Sequence, residues 1–362
     1  MKIDLIAGAR PNFIKISPII DAFDKKIKDN KKLKYRLIHT GQHYDKNMSE
    51  SFFIQLGIPL PDINLEAGGG SHAEQTSKIM MAYEKIIQKD TPDYCLVVGD
   101  VNSTMACSIV AKKFNIKVMH VEGGIRSYDL SMPEEINRIV TDSISDFYYT
   151  TTEFANNNLA QNGASQDQII FVGNTMVDSL LKHRSKFVKP SIWDELKLKK
   201  EKYMVMTMHR PSNVDNKKVL KNLISEIILN SNDNQIIFPA HPRTAKQLKT
   251  ANIKYKNLHV VNPLGYLEFN YLVENSKAVI TDSGGITEET TVMNIPCITL
   301  RDNTERPETI SLGTNELVGT NPESIRHVMQ KLFSGSWKNS QIPPLWDGRS
   351  AERILNHIIT LI

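Results

Sequence analysis

The stretch Thr281-Asp-Ser-Gly-Gly-Ile-Thr-Glu-Glu289 decides how the chain is read. It follows the strand-like run Lys277-Ala-Val-Ile280 and opens a helical pattern that continues to Met293. A strand that ends in Ser-Gly-Gly at a helix start gathers unpaired backbone N–H groups and the positive end of the helix dipole at one point. That point favours an anion. Two glycines let a phosphate come close to the backbone. With Gly284 and Gly285 beginning the helix, Glu289 falls one turn further on, where a carboxylate would accept hydrogen bonds from a ribose diol. Taken alone, the same residues also fit an ordinary strand-to-helix turn with a glycine pair.

The strand–helix unit recurs outward in both directions. Toward the N-terminus, strands are expected at Ile3–Ala7, Tyr35–His39, Tyr94–Val98, Lys117–Val121 and Phe147–Thr150. Helical spacing separates them at Pro11–Lys25, Ala73–Gln88, Ser103–Phe114 and Met132–Ile144. The pattern restarts at Tyr203–Met208 and runs through Lys217–Asn230, Gln235–Pro239, Leu258–Val261, Tyr266–Asn275, Ala278–Thr281 and Cys297–Leu300 to Pro322–Phe333. Apolar strands alternating with helices imply parallel sheets covered on both faces. A chain of 362 residues exceeds one core, so two α/β domains are expected. We place them at residues 1–175, joined by a C-terminal helix within 346–362, and at residues 176–345. Val188–Trp193 and the Lys-rich run to Lys202 read as surface connection. Two Rossmann-like, doubly wound domains facing across a cleft would put ligands at the C-terminal ends of the strands.

Composition narrows the function. Forty per cent hydrophobic and 23% charged residues describe an ordinary soluble globular chain, and a net charge of +4 is mild for its length. The Lys-rich runs lack interleaved aromatics, which argues against nucleic acid. No apolar run nears the ~20 residues of a membrane span, and because Met1–Ile6 reads as a strand no signal peptide is expected in this stretch. Cys95, Cys107 and Cys297 lie in apolar patterns with no C-x-x-C pair, as expected of reduced thiols in a cytoplasmic protein without a zinc site. Neither G-x-G-x-x-G nor G-K-[ST] is present at the strand ends, so a dinucleotide or P-loop mechanism has no support.

The strand ends carry the chemistry. Gly8-Ala-Arg-Pro-Asn-Phe-Ile-Lys15 sets Arg10 at a strand end and Lys15 one turn into a helix, both suited to a diphosphate. Asp100 follows Val97-Val-Gly99 as either a helix cap or an acid. Glu122, in His120-Val-Glu-Gly-Gly-Ile-Arg126, ends a buried strand, where a carboxylate needs a partner or a purpose. Ser131 and Glu134 have capping-box spacing, and Glu134 with Arg138 forms an i,i+4 pair, so Glu134 has a sufficient structural account by itself. In the second half, His209 and His241 each end an apolar strand with Arg and Pro close behind. Arg306, in the charged loop Arg301–Glu308, is an anion partner or a loop salt bridge.

Taken in order, Gly8–Lys15, Val98-Gly-Asp100, His120–Arg126, Pro133-Glu-Glu-Ile-Asn-Arg138, His209-Arg210, Thr281–Glu289 and Arg301–Glu308 closely resemble the non-hydrolysing UDP-N-acetylglucosamine 2-epimerases over nearly the whole chain. The resemblance implies a GT-B-type fold whose C-terminal helix crosses back to the first domain, and a homodimer. It implies interconversion of UDP-N-acetylglucosamine and UDP-N-acetylmannosamine for surface polysaccharides, with no cofactor and no metal. UDP leaves C1 as the C2 proton is taken, giving a 2-acetamidoglucal, and adds back with a proton delivered to the opposite face. By motif matching, Asp100, Glu122, Glu134 and His209 are the acid/base set. Arg10, Lys15, Arg138, His241, Ser283, Gly284, Gly285, Glu289 and Arg306 bind the nucleotide or sugar.

Gln42 and His43 match part of the region where a second UDP-N-acetylglucosamine activates some members, but Tyr44-Asp45 and Gly69–Gln75 depart from the regulated pattern. Gly41–Asp45 and Gly68–Gly70 look more like relatives acting on a modified UDP-sugar such as a 2,3-diacetamido uronic acid. Pro211-Ser212-Asn213 stands where the family commonly has Arg-Glu-Asn, so the supporting carboxylate the family carries there is missing. The competing readings are a GT-B glycosyltransferase, a hydrolysing 2-epimerase, and a UDP-sugar-binding regulator without turnover.

Overall fold

The computed structural model describes residues 1–27, 32–41 and 53–362. The chain forms two compact units, Met1–Lys182 with Pro344–Ile362, and His183–Pro343. In the first unit β1 (Lys2–Ala7), β2 (Lys34–His39), β3 (Ile63–Asn64), β4 (Tyr94–Val98), β5 (Lys117–Val121), β6 (Phe147–Thr150) and β7 (Ile169–Phe171) form one sheet. Its order is β3-β2-β1-β4-β5-β6-β7, and every pairing is parallel. The central strands are buried on both faces, with Ile3, Leu5, Leu37, Leu96, Val97 and Met119 inaccessible to solvent. That is why they read as continuous apolar runs rather than alternating ones.

The second unit repeats the plan. Here β8 (Tyr203–Thr207), β9 (Gln235–Pro239), β10 (Leu258–Val261), β11 (Ala278–Thr281), β12 (Cys297–Thr299) and β13 (Asn315–Leu317) lie in the order β10-β9-β8-β11-β12-β13, again all parallel. Both sheets reverse winding beside their first strand, between β1 and β4 and between β8 and β11. At such a switch point neighbouring connections leave toward opposite faces, opening space for a ligand beyond the strand ends. Ser191–Glu195, expected as surface connection, instead forms a short helix, and Trp193 packs edge-on against Tyr203 and Tyr271 at ring separations of 5.6 and 5.4 Å.

The C-terminal segment returns to the first unit, as the resemblance implies. Trp346 is buried and its indole N–H donates to the Thr151 carbonyl at 3.1 Å. Asp178 accepts the Ser350 and Ala351 N–H groups at 3.1 and 2.7 Å, satisfying the start of the last helix, Ser350–Thr360. Gly173, at φ 91°, makes the dock possible, because a Cβ there would sit 2.1 Å from the Leu345 carbonyl oxygen. Gly173→Ala should therefore loosen Leu345–Ile362 and cost about 2 kcal/mol or more. Hydrogen exchange is the check, and the last helix should lose protection before β1 or β4 does.

Candidate active site

Each switch point gathers charged residues from strand ends that lie far apart in sequence. In the first unit the helix Arg10–Ile27 starts just past β1. Asn12 stitches that start to the neighbouring strand, accepting from Ala9 N–H at 2.9 Å and donating to the Val98 carbonyl at 2.8 Å. Lys15, one turn on, turns inward, and its ammonium meets a Glu122 carboxylate oxygen at 2.7 Å with both side chains nearly inaccessible. Glu122 holds φ 70°, a conformation costing a non-glycine residue about 1–3 kcal/mol, of the kind stored at functional sites. Gly99, also left-handed, leaves room for this pair, since a Cβ there would lie 3.5 Å from the Lys15 nitrogen and 3.3 Å from the Asn12 amide.

Asp100 follows Gly99 and is partly exposed. Arg138 grips it through Nε and Nη2, at 3.0 and 2.6 Å. The remaining arm of Arg138 reaches Glu135 at 2.5 Å. Arg138 is therefore buried against two carboxylates rather than presented on the surface. Glu135, which the sequence reading passed over, also accepts the Ser127 and Tyr128 N–H groups, both at 2.9 Å. Burial pushes its carboxyl up, but these bonds and Arg138 outweigh burial and hold it below its usual range.

The expected capping box is not formed. The helix Pro133–Ile144 begins after Met132 with no side-chain cap, and the Ser131 hydroxyl donates to Asp129 instead. Glu134 is exposed, and its side chain makes no hydrogen bond or ion pair among the described residues. Arg10 starts its helix half-buried, and desolvation lowers its pKa. Gln42 and His43 lie outside the described residues.

In the second unit His209 stands two residues past β8, and Asp282 directly past β11. Asp282 is inaccessible and accepts the His209 and Arg210 N–H groups at 3.0 and 2.9 Å and the Asn213 amide at 3.1 Å. The imidazole Nδ1 of His209 lies 2.8 Å from Asp282, while the rest of that side chain is largely exposed. Burial raises the Asp282 carboxyl, but the His209 bond and the backbone donors overcome it, so it is held below its usual range as an anion. A carboxylate does stand beside His209, supplied by Asp282 just past β11, while residue 212 supplies none. Nothing in the local sequence reveals it, because the two residues meet only through the β8–β11 pairing.

Gly284 and Gly285 begin the helix Gly284–Met293, with Ser283 at its cap position and its N–H donating to Thr281 Oγ1 at 3.0 Å. The Glu305 carboxylate, held by Arg301 at 2.6 Å, lies against Gly284, where a Cβ would stand 2.3 Å from Glu305 Oε1. Arg306 is buried and pairs with Glu288 at 2.9 Å. His241 is exposed and caps its own helix, Pro242–Thr250, with a long 3.4 Å contact to Arg243 N–H. No hydrogen bond joins it to the His209–Asp282 pair. Among the described residues no group of three or more His, Cys, Asp or Glu could hold a metal, and no helix is long and apolar enough to cross a membrane.

Glu289 lies one turn into that helix, buried, and accepts a hydrogen bond from the Tyr266 hydroxyl at 2.9 Å. Burial raises its pKa to about 7; the Tyr266 bond opposes this and the neighbouring Glu288 adds to it. An acid whose folded pKa is raised binds its proton more tightly folded than unfolded. Its stabilising contribution is full below the unfolded value of 4.5 and is lost as pH rises through about 7. Glu289→Gln removes that titration and keeps an acceptor for Tyr266. Between pH 5 and 8 the wild type should lose up to about 3 kcal/mol relative to the variant, read as a difference in the pH dependence of Tm.

Comparison with known proteins identifies the family. The family model described as UDP-N-acetylglucosamine 2-epimerase matches residues 25–359. The UDP-N-acetylglucosamine 2-epimerase of Methanocaldococcus jannaschii is 43% identical over 374 residues, covering 98% of each chain. The UDP-2,3-diacetamido-2,3-dideoxy-D-glucuronate 2-epimerase of Pseudomonas aeruginosa is 39% identical over 322 residues, covering 88% of each. A crystal structure of the M. jannaschii UDP-GlcNAc 2-epimerase in complex with UDP-GlcNAc and UDP superimposes with a TM-score of 0.89 at 42% identity, over 99% of this chain and 100% of that one. Two parallel, doubly wound units, with charged residues gathered at both switch points and likeness along almost the entire length, lead to one conclusion: the chain belongs to the UDP-N-acetylglucosamine 2-epimerase family.

Proposed function

We propose that the protein epimerises a UDP-N-acetyl-hexosamine at C2, converting UDP-N-acetylglucosamine to UDP-N-acetylmannosamine. The observation that carries this reading is the pair of charged constellations at the two switch points, in a chain that belongs to this family. The C2 proton has no adjacent carbonyl to acidify it, so direct abstraction is unfavourable. Elimination solves this. A base takes the C2 proton as the C1–O bond breaks, the electron pair leaves with UDP, and a 2-acetamidoglucal results. Re-addition of UDP at C1, with a proton delivered to the other face of C2, completes the inversion.

Acid/base groups are needed for both faces, together with a cationic hold on the departing diphosphate. Asp100, Glu122, Glu134 and His209 are the proposed acid/base groups. Arg10, Lys15, Arg138, His241, Arg306 and the Ser283–Gly285 helix start are assigned to the nucleotide and sugar, with Glu289 on the ribose. A homodimeric cytoplasmic enzyme serving polysaccharide synthesis is part of the same proposal, on the family resemblance.

Incubation with UDP-N-acetylglucosamine in deuterated water tests the reaction. The expected result is deuterium at C2 and the manno epimer still attached to UDP. Free N-acetylmannosamine would instead identify the hydrolysing reaction, and transfer of an unlabelled sugar a glycosyltransferase. Tight UDP binding with no exchange on any substrate would identify a regulator. A second substrate, a UDP-2,3-diacetamido uronic acid, is favoured by the 39% identical relative that acts on it. Comparing exchange rates on the two UDP-sugars decides between them.

A further inference from the structure

His120 has no part in the reaction as proposed, yet it sits at the junction of the strand ends that carry Asp100 and Glu122. It is inaccessible to solvent. Its Nε2 lies 2.8 Å from the carbonyl oxygen of Gly99, the residue before Asp100. Its Nδ1 lies 2.7 Å from Asp142 Oδ1. A carbonyl oxygen only accepts, so Nε2 carries a proton. The other oxygen of Asp142 already takes Arg126 at 2.5 Å and the Gly124 N–H at 3.0 Å.

One proton remains to be placed between Nδ1 and Oδ1. With a guanidinium against the carboxylate, that proton belongs on the imidazole. Around it, Lys15 pairs with Glu122, Arg126 with Asp142, and Arg138 with Asp100 and Glu135. The other polar neighbour is the Tyr148 hydroxyl, which donates to the Asp142 and Ser145 carbonyls rather than to the ring.

We propose that His120 is a buried imidazolium, protonated on both nitrogens, that positions Asp100 and Glu122. One nitrogen holds the carbonyl just before Asp100. The other holds Asp142, whose second oxygen fixes the Gly124 amide just after Glu122. The Gly99 N–H donating to the Val121 carbonyl at 3.0 Å completes the tie, so both backbone groups of Gly99 are bound to β5 residues. A neutral ring with its proton on Nδ1 would leave the Gly99 carbonyl unheld, and one with its proton on Nε2 would keep the Asp142 contact only if that carboxyl carried the proton. His120 is thus a positioning residue. The imidazolium stands on geometry alone; its effect on turnover rests on the proposed function.

Long-range nitrogen–proton correlation spectra of the 15N-histidine-labelled full chain test the charge directly. His120 is assigned from its proximity to Val97 on β4. Two protonated-type nitrogen signals are expected. One protonated and one pyridine-type nitrogen would overturn the proposal, whether or not the wild type turns over any UDP-sugar. For positioning, His120→Gln keeps an amide donor for one acceptor only. C2 exchange should fall about a hundredfold in kcat, with KM and UDP affinity within a few-fold of wild type. A folded variant with unchanged kcat overturns positioning. Should the variant not fold, His120→Asn and His120→Arg are assayed in its place, and the arginine, which restores a cation with several donors, should recover more exchange than the asparagine.

Discussion

Asp282→Asn should reduce C2 proton exchange by roughly a thousandfold while leaving UDP affinity within a few-fold of wild type. The carboxylate lies 2.8 Å from Nδ1 of His209 and is itself inaccessible. An ionised carboxylate only accepts, so Nδ1 donates, and the tautomer that exposes a basic Nε2 is selected. An asparagine can turn its NH2 toward Nδ1 and select the opposite tautomer, leaving an N–H where a base is needed. In a serine-protease triad the equivalent exchange costs about 10⁴ in kcat. A somewhat smaller loss is expected here because the His209 side chain is largely exposed and can reorient. Some stability is lost as well, since Asp282 also accepts from the His209 and Arg210 backbone and from Asn213. Exchange within tenfold of wild type, in a folded variant that binds UDP, would remove His209 from the chemistry.

Asp282 also shows where the sequence is silent. It stands inside the Thr281–Glu289 stretch, in plain view, yet no spacing links it to His209 some 70 residues earlier. Only the crossover that sets β11 beside β8 does so. Local patterns misled at Arg138 for the same reason. The i,i+4 spacing pointed to Glu134, whereas the helix turns Arg138 inward to Asp100, which arrives from β4, and to Glu135. What the sequence does reveal is the layer plan. Strands buried on both faces must be continuously apolar, and the glycine-marked strand ends stand out against them. The strands that escaped notice, Ile63–Asn64, Ile169–Phe171 and Asn315–Leu317, are edge strands of two or three residues, too short for any periodicity.

The second large effect is on stability. Lys15→Met should destabilise the first unit by about 3–5 kcal/mol, and Glu122→Gln in the same chain should restore a substantial part of it. The Lys15–Glu122 pair is closed at 2.7 Å with side-chain exposures of 10% and 1%. Removing the ammonium takes the ion-pair cation away from a desolvated carboxylate, and breaking one side of a buried pair is costly in that range, whereas replacing both sides by neutral groups is far less so. Glu122 cannot escape by swinging away, because its backbone is fixed by its N–H bond to the Tyr149 carbonyl at 2.9 Å and by the strained φ of 70°. For a unit of this size the single variant should melt roughly 10 °C lower, and the double variant should lie well above it. Coupling below about 1 kcal/mol in this double-mutant cycle would mean that solvent reaches Glu122 and that the pair is not the buried anchor described. Neither variant should sustain C2 exchange, so the cycle is read by calorimetry and the loss of activity separately. A Lys15→Met protein that keeps full stability but loses exchange would move Lys15 from holding Glu122 to holding the diphosphate alone.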